Sequence, residues 1–173
     1  MIRFTILPCL VLVAMLAGCA APEGPATRLE KANVLPLALD DSFAFRKILQ
    51  STFDPKIIDP VTTNEPILFE RSRRAWGAVD GYERALRYGN HYTIFWRTPA
   101  RSNVTLRLEY RQAGLGNFVM AQERTYPDAR GSHRSTFDVA GDDFLENGRV
   151  NAWRALLIVD GKIVALTQSY MWR

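Results

Sequence analysis

Cysteine, histidine and the familiar catalytic signatures are all scarce in this sequence. Among 173 residues there are two cysteines and two histidines. Cys9 lies inside an apolar N-terminal run and Cys19 closes it, so the chain beyond residue 19 has no thiol and no internal disulfide. Stability must then come from packing, and a composition of 47% hydrophobic, 11% aromatic and 23% charged residues is enough for one core. His91 and His133 have no second histidine at ligand spacing, and a surface or edge-strand role is predicted for both. Ser132 and His133 are sequence neighbours that a strand would point to opposite faces, and no GxSxG stretch exists. Gly114-Leu115-Gly116-Asn117 lacks the lysine and the strand-to-helix setting of a phosphate loop. Asp142, Asp143, Glu146 and Asn147 gather oxygen ligands, but not at the spacing of a twelve-residue calcium loop, so a solvated turn is predicted there. No catalytic residue, cofactor or metal is therefore expected.

The N-terminus is more informative. Met1-Ile2-Arg3 precede an uncharged stretch, Phe4–Gly18, the arrangement of a basic region followed by an apolar export segment. Its fifteen residues are too few to span a bilayer comfortably, and no cluster of Lys or Arg follows to stop transfer. Leu16-Ala17-Gly18-Cys19 resembles the lipobox of bacterial lipoproteins. The resemblance implies that residues 1–18 are a signal peptide, that Cys19 is acylated, and that Cys19 becomes the first residue of the mature chain. It also implies sorting to the outer membrane, because Ala20 is not the Asp that commonly marks retention in the inner membrane. Each buried methylene contributes about 0.8 kcal/mol, so two or three acyl chains give a stable anchor.

Composition divides the rest. Residues 19–39 carry Pro22, Pro25 and Pro36 without hydrophobic periodicity, which predicts a lipidated tether. Residues 40–66 are read as one short helix and a loop: Asp40, Asp41 or Ser42 is placed to cap, Phe45, Ile48 and Leu49 share a helical face, and Asp54-Pro55 and Asp59-Pro60 break it. Residues 67–173 become short runs rich in β-branched and aromatic residues, at about 67–79, 92–98, 104–111, 118–126, 134–139, 152–159 and 163–172. Val104, Leu106, Leu108 and Tyr110 alternate with Thr105, Arg107, Glu109 and Arg111, predicting one buried and one wet face. Turns are expected at 99–102, 114–117 and 127–131, and a crossing loop at 142–148. Asp160-Gly161 predicts a tight hairpin, and Ala155–Val159 a central strand buried on both faces. About seven strands make an antiparallel β-sandwich the expected fold. From Tyr92 onward the order of runs resembles a fibronectin type III or immunoglobulin-like domain, without the cysteine pair of the disulfide-bonded kind. The segments Trp153-Arg154-Ala155-Leu156-Leu157 and Ser169-Tyr170-Met171-Trp172 resemble a group of exported bacterial lipoproteins and imply no activity.

Losing the signal would leave 21 basic and 18 acidic residues, a mild excess. Arg71, Arg73, Arg74, Arg84 and Arg87 concentrate around Trp76, Tyr82 and Tyr88, which suits an anionic lipid surface, a polysaccharide or an acidic partner. The bland alternative is an edge strand kept soluble by its charges. Trp96 and Trp153 are expected in the core, and Trp172 at the surface or locking the last strand. The sequence thus predicts a lipid-anchored, outer-membrane envelope protein acting as a non-catalytic binding or structural module. Its partners would be the membrane, through Cys19, and an envelope protein or polysaccharide; no nucleic acid partner is expected. The competing expectation is a carbohydrate-binding or hydrolytic lipoprotein whose site converges only in space.

Overall fold

A computed structural model of the protein describes residues 24–29, 32–54, 65, 69, 73 and 75–172. The export-like segment, Cys19, Arg71 and Arg74 lie outside the described residues. Among the described residues the fold is mainly β, with one antiparallel sheet of six strands and few helices. The strands are β1 (Thr27–Leu29), β2 (Ala44–Phe53), β3 (Gly89–Gln112), β4 (Met120–Ala140), β5 (Val150–Val159) and β6 (Lys162–Gln168). Among the described residues, two short helices have both ends defined, α1 (Gly81–Ala85) and α2 (Asp142–Asn147). β1, β4, β3, β5 and β6 are neighbours in that order, and β2 pairs with β3.

The centre is one long hairpin. β3 and β4 pair from Gly89↔Ala140 to Tyr110↔Met120, with register shifts between Thr98 and Val104. The proline-containing stretches 99–102 and 127–131 lie opposite each other there. They were expected to reverse the chain; instead they bend two strands that continue. Proline is tolerated at such irregular ladder positions. Asp128 (φ 55°) and Gly131 (φ 77°) supply the left-handed backbone that the bend requires. Arg101 Nη1 reaches Asp128 Oδ2 across it at 2.6 Å. Four expected runs are therefore two strands.

Each half of the hairpin has its own neighbour. β2 lies along residues 89–97 of β3, and β5 along residues 104–112. Tyr92, Ile94 and Trp96 from the first half join Val104, Leu106, Leu108 and Tyr110 from the second in one buried cluster. Tyr92 meets Trp153 edge-on at 6.0 Å between centroids, and Trp96 meets Tyr126 at 5.1 Å. Side chains also join the halves: Gln122 Nε2 donates to the Asp138 carbonyl (2.9 Å) and Arg124 Nε to that of Thr136 (2.8 Å).

Residues 44–53, expected to be helical, are strand β2. Asp40 accepts from the Ser42 amide and hydroxyl in a local turn rather than starting a helix. The next ten residues pair with β3, where Ile48 faces Ile94 and Phe53 faces Gly89. Phe69, Arg73 and Ala75, in the run read as the first strand, are helical. The acidic segment expected as a crossing loop is α2, with Phe144 buried beneath it. The Asp160-Gly161 hairpin has the expected positive φ values, 49° and 70°, and β5 is central, with Ala155 through Ile158 buried.

Candidate functional site

The N-terminal segment shapes the outer face of the sheet. β1 covers the free edge of β4, pairing Thr27 with Glu123 and Leu29 with Ala121. Residues 36–40 lie parallel to the start of β6 at the opposite edge. There Ile163 donates to the Pro36 carbonyl, Ala38 to that of Ile163 and Asp40 to that of Val164, each at 2.9 Å. Residues 24–29 and 32–39, read from composition as tether, are thus docked across the molecule. The two edges they cover would otherwise present unpaired backbone groups.

The crossing at residues 32–35 explains why the second face of β3 is not wet. Arg107 and Glu109 alternate with the core residues as expected, yet they are 6% and 2% exposed. They form a ladder of charges running across three strands. Arg107 Nε donates to Glu123 Oε1 (2.6 Å), and its Nη1 donates to the Asn33 carbonyl (2.8 Å) and lies 3.4 Å from Glu109 Oε1. Glu109 Oε2 accepts from Arg154 Nε at 2.5 Å. Strand register dictates these pairs, because Arg107 faces Glu123 on one side and Glu109 faces Arg154 on the other. Two guanidinium and two carboxylate groups balance, as burial of charge demands.

A cavity of about 560 Å3 lies over this ladder. Leu35, Phe118, Val119, Leu156 and Ile163 make its walls apolar, while Arg107, Glu109 and Arg154 supply its polar floor. Each Glu109 oxygen faces a guanidinium group, Oε1 that of Arg107 and Oε2 that of Arg154. Arg154 is the accessible member, its side chain 38% exposed. Its guanidinium lies 4.9 Å from the Trp172 ring, and that of Arg111 lies 4.7 Å from the same ring. Trp172 is accordingly buried and locks the end of the chain, the second of its two expected roles. Trp96 is fully buried as expected, and Trp153 is half-buried with its indole N–H on Gln50 Oε1 at 2.9 Å.

The histidines stand away from this cavity. His91 Nδ1 is 2.6 Å from Asp138 Oδ1 and its Nε2 is 3.2 Å from the Arg87 carbonyl, so both nitrogens are occupied. His133 stacks on Trp96 at 4.3 Å between centroids. Among the described residues its Nε2 is buried without a hydrogen-bond partner, and burial pushes the imidazole pKa down. Asp143, from the acidic segment, accepts Arg28 Nη1 on both oxygens at 2.6 and 2.7 Å. Among the described residues, no group of three or more His, Cys, Asp or Glu side chains converges as a metal site would require.

The arginine-rich region is only partly assembled. Arg73, Trp76 and Arg84 are exposed, and Trp76 is 81% accessible. Arg87 is half-buried, its Nη1 on the Trp76 carbonyl. The charged edge strand considered for this region is not formed, since its described residues are helical or in turns. The cavity residues escaped the sequence reading because Arg107, Glu109 and Arg111 have the pattern of a solvated face. One signal was available: their opposite charges, two residues apart, have partners in Glu123 and Arg154 on the adjoining strands. Comparisons with protein-family models, curated proteins and solved structures find no match.

Proposed function

We propose that the chain is an exported lipoprotein, held at the outer membrane by acyl chains on Cys19, and that its β domain is a non-catalytic binding module. The basic start, the apolar run to Gly18 and the Leu16-Ala17-Gly18-Cys19 lipobox support the location. We read the two halves of the sheet as the layers of an antiparallel β-sandwich, supported by the single core cluster they share. The observation that carries the binding role is the cavity of about 560 Å3, whose size and mixed lining suit a small ligand. The ligand class that fits is a compact amphiphile, apolar over most of its surface, with a polar head bonding to Arg154. The binding reading is supported by the floor, where Glu109 lies between two guanidinium groups.

The test is uptake of 1-anilinonaphthalene-8-sulfonate, an apolar anion, by the folded protein. The expected result is saturable fluorescence from one site, abolished in Leu156→Trp, which fills the cavity, with the circular dichroism unchanged. Undiminished uptake by a folded Leu156→Trp protein would contradict the reading.

A further inference from the structure

The N-terminal segment enters the domain beside the hairpin bend. β1 pairs antiparallel with β4 in the register Thr27↔Glu123 to Leu29↔Ala121, so toward Gly24 the chain runs along β4 in the direction of residues 127–131. One guanidinium fixes the place. Arg124 Nη1 donates to the Gly24 carbonyl and its Nε to the Thr136 carbonyl (2.8 Å), which sets Gly24 next to the half of β4 that leaves the bend. Continuing the β1 register puts Gly24 level with Tyr126, about 10 Å along the strand from Ala129 in the bend. Five residue steps separate Cys19 from Gly24, a reach of about 17 Å at full extension. A lipid on Cys19 would therefore insert at the bend end of the domain.

That end is basic. Lys47 of β2 and Arg134 of β4 flank Phe95 of β3 in one row across three strands, and Arg97 follows on the same face of β3. Arg46 adjoins Lys47, and Arg130 stands in the bend itself. All of these side chains are exposed, and among the described residues none of them pairs with a carboxylate. Two carboxylates on the same strand are engaged, Asp128 by Arg101 and Asp138 by His91, each at 2.6 Å. Asp40 and Asp41 lie on the other flank beside β6, where the Asp40 amide donates to the Val164 carbonyl (2.9 Å), and Asp160 is in the turn that leads into β6. Cations left without partners repel one another, and an anionic surface relieves that repulsion. We infer that the bend end, through Arg97, Arg130 and Arg134, docks on anionic phospholipid headgroups of the membrane that holds the lipid. The inference rests on acylation of Cys19. Acyl chains hold the protein at the bilayer, and the cations set which end of the domain faces it.

The test uses the full-length protein purified from membranes, with its acylation read by mass. Ser132 is exposed and faces Arg97, so a bimane dye on the Ser132→Cys thiol reports on the basic face. The protein is placed in vesicles of phosphatidylethanolamine and phosphatidylglycerol, or of phosphatidylcholine alone, each containing a lipid with a nitroxide on its headgroup. The expected result is dye quenching in the anionic vesicles that is lost in the neutral ones and at about 0.5 M salt, where charges are screened within a few ångströms. Combining Arg97→Gln, Arg130→Gln and Arg134→Gln should lower the ratio of docked to undocked protein about fivefold for each charge removed, with the circular dichroism unchanged. An acylated protein quenched equally in both vesicles, quenched in neither, or quenched as strongly without the three arginines would overturn the docking and leave the anchor intact. A protein with unmodified Cys19 would overturn both.

Discussion

Glu109 shows how much a single side chain can hold. It is buried between Arg107 and Arg154, so Glu109→Ala leaves two guanidinium groups without their shared counter-charge. A loss of about 3–5 kcal/mol is expected in urea unfolding. Removing Arg101 from its exposed pair with Asp128 should cost about 0–1 kcal/mol by the same measurement, because water screens that pair. Equal losses would mean that the ladder under residues 32–35 is as solvated as the bend. Protonation adds a second prediction. The pKa of His133 is lowered by burial, so its contribution to stability is present above the ordinary imidazole value and fades as pH falls below it. Melting temperature should drop between neutral and mildly acid pH, and the His133→Phe variant should lose part of that drop. Tyr92 and Tyr110 behave in the opposite sense. Burial raises both phenols, so the folded state is favoured up to the ordinary phenol pKa and is destabilised as pH rises further. Alkaline absorbance titration should find both ionising only with unfolding.

At the scale of elements, the segment before β2 governs the sheet's edges. A chain lacking residues 24–40 would lose β1 and the three backbone bonds at the start of β6. Its Ile163 amide should exchange with solvent much faster than in the whole protein, and it should self-associate through the uncovered edges. Unchanged exchange at Ile163 would show that residues 36–40 do not pair there in solution. Local pattern made some of these elements legible in advance. The apolar side of the alternation from Val104 to Tyr110 and the Asp160-Gly161 turn act over a few residues, and both formed as expected, whereas the charged side expected to be wet is buried. Two other readings failed because the deciding partner was distant in sequence. Phe45, Ile48 and Leu49 fit a helix face, but an open flank of β3 was available and ladder pairing prevailed over propensity. The residues at 99–102 and 127–131 were expected to be turns dividing separate strands. Only their register against each other reveals a bend instead of two reversals. The cavity floor was hidden for the same reason, since nothing local to Arg107 and Glu109 signals that residues 32–35 will cross above them.

For the whole molecule, the docked N-terminal segment would couple the proposed location to the proposed binding role. If Cys19 carries lipid, the residues that follow it lead within a few steps into β1 and then over the cavity, so anchor, sheet edge and ligand site share one stretch of chain. The domain would then stand close to the bilayer, with its cavity roofed by the segment nearest the anchor. Every part of that arrangement depends on Cys19. The most direct test is the mass of the protein extracted from the membranes of cells expressing the full sequence. The account predicts a chain that begins at Cys19 and carries the added mass of a diacylglyceryl group, and a Cys19→Ser variant without that mass that no longer sediments with membranes. A membrane-bound chain that still begins at Met1, or one with an unmodified Cys19, would contradict it.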